Sequence, residues 1–106
     1  MKVYFVHCKY LYDLMLSFSV CHHVNWTDQG MKILLCSYYK VGEFDDLDDA
    51  IKTLSKWDGN EITSKIGRSV LRIGDIFEID GCYYLFVCKR LIKIPDAISK
   101  RLILND

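Results

Sequence analysis

The sequence predicts an α+β fold: a mainly antiparallel sheet of about four or five strands, packed by one main helix over about 45–57 and by a short C-terminal helix. Three observations carry this. Asp80-Gly81 is a two-residue turn signal with β-branched and aromatic residues on both sides. Leu47, Ala50, Ile51 and Leu54 fall at i, i+3, i+4 and i+7, one apolar stripe of a helix. Seven Tyr, five Phe and two Trp in 106 residues favour a sheet-rich core. A chain of this length buries roughly two-thirds of its unfolded surface, enough for one core, so residues 1–106 are expected to form a single domain.

Val3 to Cys8 alternates in the manner of a first strand. Tyr10, Leu11, Leu14 and Phe18 have helical spacing, but from Leu14 onward period two is stronger, and 14–24 is expected to be a strand. Residues 25–30, NWTDQG, are rich in turn formers. Met31 to Lys40 follows as a long strand, antiparallel to 14–24, with the apolar run Ile33 to Cys36 set inside the sheet.

Asp45 is placed to cap the 45–57 helix, with Asp46, Asp48 and Asp49 in its first turn, where the helix dipole favours negative charge. Asp48 and Lys52 stand at i, i+4, and Gly59 suits the position just past the helix end. Glu61 to Gly67 is a connector. Gly74 reads as a turn or bulge position ahead of the hairpin.

A two-residue turn at Asp80-Gly81 pairs Ile79 with Cys82, Glu78 with Tyr83, Phe77 with Tyr84 and Ile76 with Leu85. Strand alternation puts Phe77, Ile79, Cys82, Tyr84 and Phe86 on one face and Ile76, Glu78, Tyr83, Leu85 and Val87 on the other. Both faces are mainly apolar, so the hairpin is expected inside a sheet that is covered on one side and partly covered on the other. Pro95 ends the strand region and opens a short helix, which Ile98, Leu102 and Ile103 would dock on the sheet.

Formal net charge is zero, which argues against a DNA mimic or a general nucleic-acid binder. The charge is unevenly placed. Residues 1–88 hold nine Lys/Arg and twelve Asp/Glu, and residues 89–106 hold five and two. No apolar run approaches a membrane span, and the first residues are too short a run for a signal peptide. Five cysteines, mostly in apolar strand-like settings, read as reduced core thiols of a cytosolic protein.

His7-Cys8 and Cys21-His22-His23 are the metal suspects. Neither has the spacing of a zinc site, and adjacent strand residues point to opposite faces, so no metal and no other cofactor is expected. Cys8, Cys36 and Cys82 sit in apolar runs, where burial raises a thiol pKa, and this opposes a thiol enzyme. The acidic run 45–49 lacks the glycine and the final glutamate of a calcium loop. No phosphate loop, catalytic carboxylate pair or nucleophile elbow is present, so a non-enzymatic role is expected.

The run GEFDDLDDAIKTLSKW, followed by GRSVLRIGDIFEIDGCYYLFVCKRLIKIP, resembles the YodL-like domain and related small modules of large polyvalent proteins of phages and mobile elements. Gly67, Arg68, Ser69, Gly74, Asp75, Gly81, Tyr83 and Pro95 carry the likeness, which spans residues 41–95. The chain departs from the pattern at Val70 to Ile73 and at Arg90 to Ile92. The resemblance implies a phage or mobile-element origin, hence a host bacterial cytoplasm, and an accessory role. It supplies no catalytic residues.

Together with this resemblance, small size, neutral charge, aromatic surface potential and the lack of catalytic machinery lead to the expectation of a protein that binds a bacterial host protein, such as a restriction or CRISPR component, and blocks it by steric occlusion. Trp26, Tyr38, Tyr39, Tyr83 and Arg90 are the candidate contacts, as aromatic and arginine anchors of an interface. The alternative is a nucleic-acid-binding accessory factor using Arg68, Arg72, Lys89, Arg90 and Lys93 beside the hairpin tyrosines. An uncovered apolar face would equally serve a homodimer.

Overall fold

The computed structural model describes residues 1–7, 26, 29–54, 71–87 and 90–105. Their elements, in chain order, are β1 (Lys2–His7), α1 (Gln29–Leu34), β2 (Ser37–Glu43), α2 (Leu47–Leu54), β3 (Ile76–Ile79), β4 (Cys82–Val87), β5 (Arg90–Lys93), α3 (Asp96–Ser99) and β6 (Ile103–Asn105). The strands form one sheet in the order β5-β4-β3-β1-β2-β6. Every pairing is antiparallel except β2 with β6. The α+β class is thus as expected, and the described residues hold six strands and three helices.

The hairpin has the expected register, Ile76 with Leu85 through Ile79 with Cys82. Asp80 and Gly81 both have positive φ, 52° and 82°, as a type I′ turn demands. Its two faces belong to two separate cores. On one face, here face A, Ile76, Leu85 and Val87 join Tyr4, Val6, Tyr38 and Ile94. On the opposite face, face B, Phe77 and Phe86 join Val3 and Phe5, with the two phenyl rings stacked at 5.9 Å.

Helices close both faces. Ala50 and Leu54 of α2 are buried in core B, with Leu47 and Ile51 packed against it. Ile33 of α1 and Ile98 of α3 belong to core A. Where α1 meets α3 the Ile98 side chain lies against the bare backbone of Gly30: a Cβ there would lie 2.8 Å from Ile98 Cδ1. The two helices foreseen from sequence therefore lie on opposite sides of the sheet, giving three layers.

The strand expected over 31–40 is corrected. Its first half is α1, and β2 begins only at Ser37. Gly30, Ile33 and Cys36 are buried while Met31, Lys32 and Leu35 are exposed, a three-residue period that a strand cannot supply. The turn tightens at its end, where Leu35 N donates to Lys32 O and Cys36 N to Ile33 O. Tyr38 then completes the stop, its hydroxyl donating to Ile33 O at 3.1 Å. The strand expected over 14–24, the end of the main helix past Leu54 and the connector 61–67 lie outside the described residues. The antiparallel partner of β2 among the described residues is β1.

The helix cap shifts by one residue from the expected Asp45. Asp46 Oδ1 accepts from Asp49 N at 2.7 Å, and Asp46 O accepts from Ala50 N. Asp46 is the N-cap, and Asp46→Ala should lower stability by about 1 kcal/mol in chemical denaturation while Asp45→Ala leaves it nearly unchanged.

Gly74 and Asp75 form the bulge that Gly74 suggested. Gly74 N donates to Phe86 O and Phe86 N donates to Asp75 O, so two residues oppose one. Gly74 has φ 99°, open to glycine at little cost. The bulge interrupts the β1–β3 ladder just beyond Tyr4–Ile76. Asp75 takes over there: its fully buried carboxylate accepts Val6 N at 2.8 Å and Arg72 N at 2.7 Å.

Candidate functional site

The residues chosen from sequence as partner contacts do not make one surface. Tyr38 is fully buried, and its hydroxyl holds the end of α1, so it is a core residue and no contact. Trp26 and Tyr83 are half-buried against core A. Tyr39 is half-buried on face B, where it meets His7 edge-on at 6.1 Å. Arg90 is exposed at the start of β5, an edge strand separated from β1 by β4 and β3, on the side opposite β2.

The basic set fares similarly. Arg72, Arg90 and Lys93 are exposed, while Arg68 and Lys89 lie outside the described residues. Arg90 pairs with Val87 and Lys93 with Tyr84. Val87 belongs to core A and Tyr84 packs on core B, so these two cations occupy opposite faces of the sheet. A stacking platform for single-stranded nucleic acid needs aromatics and cations on one face.

Of the metal suspects, His7 is exposed at the end of β1, and Cys8, Cys21, His22 and His23 lie outside the described residues. Among the described residues no three His, Cys, Asp or Glu side chains converge. Cys36 is buried with Sγ 3.4 Å from Lys32 O, and Cys82 is half-buried at the hairpin turn. No helix among the described residues is long and apolar enough to cross a membrane.

Two surfaces remain. The first is an open groove of about 510 Å³, lined by Tyr83, Asp96, Ser99, Lys100, Leu102 and Leu104 among others. It carries one carboxylate and one ammonium, and Ser99 Oγ is engaged with Asp96 O at 3.2 Å. No nucleophile and base are paired there among the described residues.

The second surface follows from register and was not foreseen. His7 pairs with Ser37, and Ser37 with Ile103; Phe5 pairs with Tyr39, and Tyr39 with Asn105. Directly opposed residues of a sheet share a face. His7, Ser37, Tyr39, Ile103 and Asn105 therefore stand together on face B, at the end of the sheet away from β4. Phe5 is buried in core B with α2, whereas His7, Ile103 and Asn105 are exposed and Ser37 and Tyr39 half-exposed. The patch has one exposed branched hydrocarbon, two aromatic rings and two small polar side chains. That mixture suits a protein interface: rings give area at low entropy cost, and the polar groups can pair with a partner. Of its members, only Tyr39 was legible beforehand as a contact, because the patch depends on the parallel β2–β6 pairing.

Nearby on β2, Lys40 Nζ bonds Glu43 Oε1 at 2.8 Å. This bond, then the Lys40 charge, holds the Glu43 carboxyl below its usual range. The ion pair supports the fold above the ordinary carboxylate range and is lost as pH falls through the lowered folded value. Glu43 is exposed, so solvent leaves its contribution small. In an NMR titration the Glu43 carboxyl should show a depressed midpoint, and Lys40→Met should return it to the ordinary range.

No protein-family model, curated protein or solved structure matches this chain.

Proposed function

We propose that this chain is a non-enzymatic accessory protein of a phage or mobile element that docks on a bacterial protein and blocks it sterically. A restriction or CRISPR component is the class of target that fits such a role. One observation carries the docking: the His7–Tyr39–Ile103 patch, a partly apolar quarter of the sheet that α2 leaves exposed. The likeness of residues 41–95 to small phage modules supports the origin, and the exposed rings support recognition through packing. The nucleic-acid alternative has less support, since Arg90 and Lys93 face opposite ways.

Affinity capture from bacterial lysate with wild-type protein and with Tyr39→Asp tests this reading. The wild type should retain one protein in stoichiometric amount, and the variant should bind it roughly tenfold to a hundredfold more weakly, the usual worth of a central aromatic contact. Circular dichroism and thermal melting serve as the fold control. A wild type that retains no stoichiometric protein, or a folded variant that keeps it unchanged, would defeat the proposal.

A further inference from the structure

We infer that the groove beside α3 is a binding site for a short apolar peptide with both ends free, and that a hydrophobic dipeptide is the size that fits. The groove lies on face A, whereas the His7–Tyr39–Ile103 patch lies on face B, so this goes beyond the docking reading and stands apart from it.

The groove combines hydrocarbon with two opposite charges. Tyr83, Leu102 and Leu104 line it and also pack on core A, so its apolar part continues into the protein interior. All three are half-buried and leave part of their surface open to solvent. Asp96, Ser99 and Lys100 line it from α3. They fall at i, i+3 and i+4 on one side of the helix, while Ile98 on the other side packs on core A.

The lining is held in place by the fold itself. Ile98 is seated against Gly30. Pro95 O accepts both Ile98 N and Ser99 N at 2.9 Å, and Ile94 N donates to Tyr83 O at 2.8 Å, which ties the approach to α3 onto β4. A site with little left to order loses less entropy when it binds.

The charges select the occupant. Asp96 and Lys100 are exposed one helical turn apart, and among the described residues neither forms an ion pair. A phosphate would meet the ammonium but be repelled by the carboxylate beside it. A neutral apolar ligand would leave both charges without partners at its edge. A zwitterion with apolar side chains satisfies all three features: its ammonium meets Asp96, its carboxylate meets Lys100, and its side chains lie over Tyr83, Leu102 and Leu104. Spacing sets the length. Four residues of helix rise about 6 Å. The ends of an extended dipeptide stand about 7 Å apart, whereas a single amino acid carries both charges on one carbon. The volume of about 510 Å³ leaves room for two apolar side chains. The groove is open, so the complex is weak, in the millimolar range.

Titration of the full chain with leucyl-leucine, followed by amide chemical shifts in NMR, tests this. The amides of Tyr83, Ser99, Lys100 and Leu104 should shift together and saturate at millimolar ligand. Leucyl-leucine with its amine acetylated and its carboxyl amidated keeps the side chains and loses both charges, and should bind at least tenfold more weakly. Asp96→Asn and Lys100→Met alter exposed side chains, should leave the circular dichroism spectrum unchanged, and should each weaken binding at least threefold. Lys93→Met, on face B, should leave binding unchanged. The inference is overturned by any of four results: no saturable shift at these amides, equal binding of the blocked dipeptide, equal shifts with inorganic phosphate, or folded variants at Asp96 and Lys100 that bind as the wild type does.

Discussion

Asp75→Ala is expected to lower the free energy of unfolding by about 3–5 kcal/mol, the scale of losing a fully buried, hydrogen-bonded charge. The reason is geometric. The bulge at Gly74-Asp75 removes the backbone acceptor that would have continued β3 alongside Val6, and the carboxylate supplies one instead. Its other oxygen closes the turn from Arg72. Alanine would leave Val6 N and Arg72 N without these acceptors; the Val6 bond is buried, where a stranded donor costs about 1–3 kcal/mol, and the part-buried Arg72 bond adds less. Asp75→Asn keeps one acceptor oxygen but turns an amide group toward one of those donors, so a loss of about 1–3 kcal/mol is expected. Urea unfolding of the three proteins gives the comparison. If Asp75→Ala is as stable as wild type, the carboxylate is not what holds β1 to the bulge.

Phe77→Ala should cost about 3–5 kcal/mol as well, through cavity formation. Phe77 is fully buried on face B, stacked on Phe86 and packed with Val3, Phe5 and the α2 residues Ala50 and Leu54. It therefore links the hairpin, the central strand β1 and the helix. The substitution at its cross-strand neighbour, Tyr84→Ala, should cost less, because Tyr84 is only half-buried. Equal losses for the two, measured by urea unfolding, would mean that the α2 face does not depend on Phe77 as its anchor.

These residues show how much could be read beforehand. The hairpin was legible to its register because Asp80-Gly81 admits positive φ and a two-residue loop leaves no freedom in the pairing. The stripe of α2 was legible because its period differs from that of a strand. Residues 29–36 misled because a short apolar run looks alike in a buried strand and in a buried helix. The buried set Gly30, Ile33 and Cys36 carried the helical period, but only burial separated it from Leu35 beside it. Tyr38 was misplaced at the surface for a related reason. A tyrosine can satisfy its hydroxyl inside the protein when a helix end supplies a carbonyl, and that helix end was not foreseen.

By itself, the sequence determined the α+β class, the hairpin with its two apolar faces, the main helix and the short helix after Pro95. All follow from local periodicity, turn chemistry and capping, which act over a few neighbouring residues. Tertiary structure alone decided the order β5-β4-β3-β1-β2-β6, the carboxylate of Asp75 against Val6, and the meeting of His7, Tyr39 and Ile103. Each depends on contacts between residues far apart in the chain, here 69 positions for Asp75 and Val6. Such contacts are set by which strands become neighbours, a choice made by burying both faces of the sheet at once, and no local pattern encodes it.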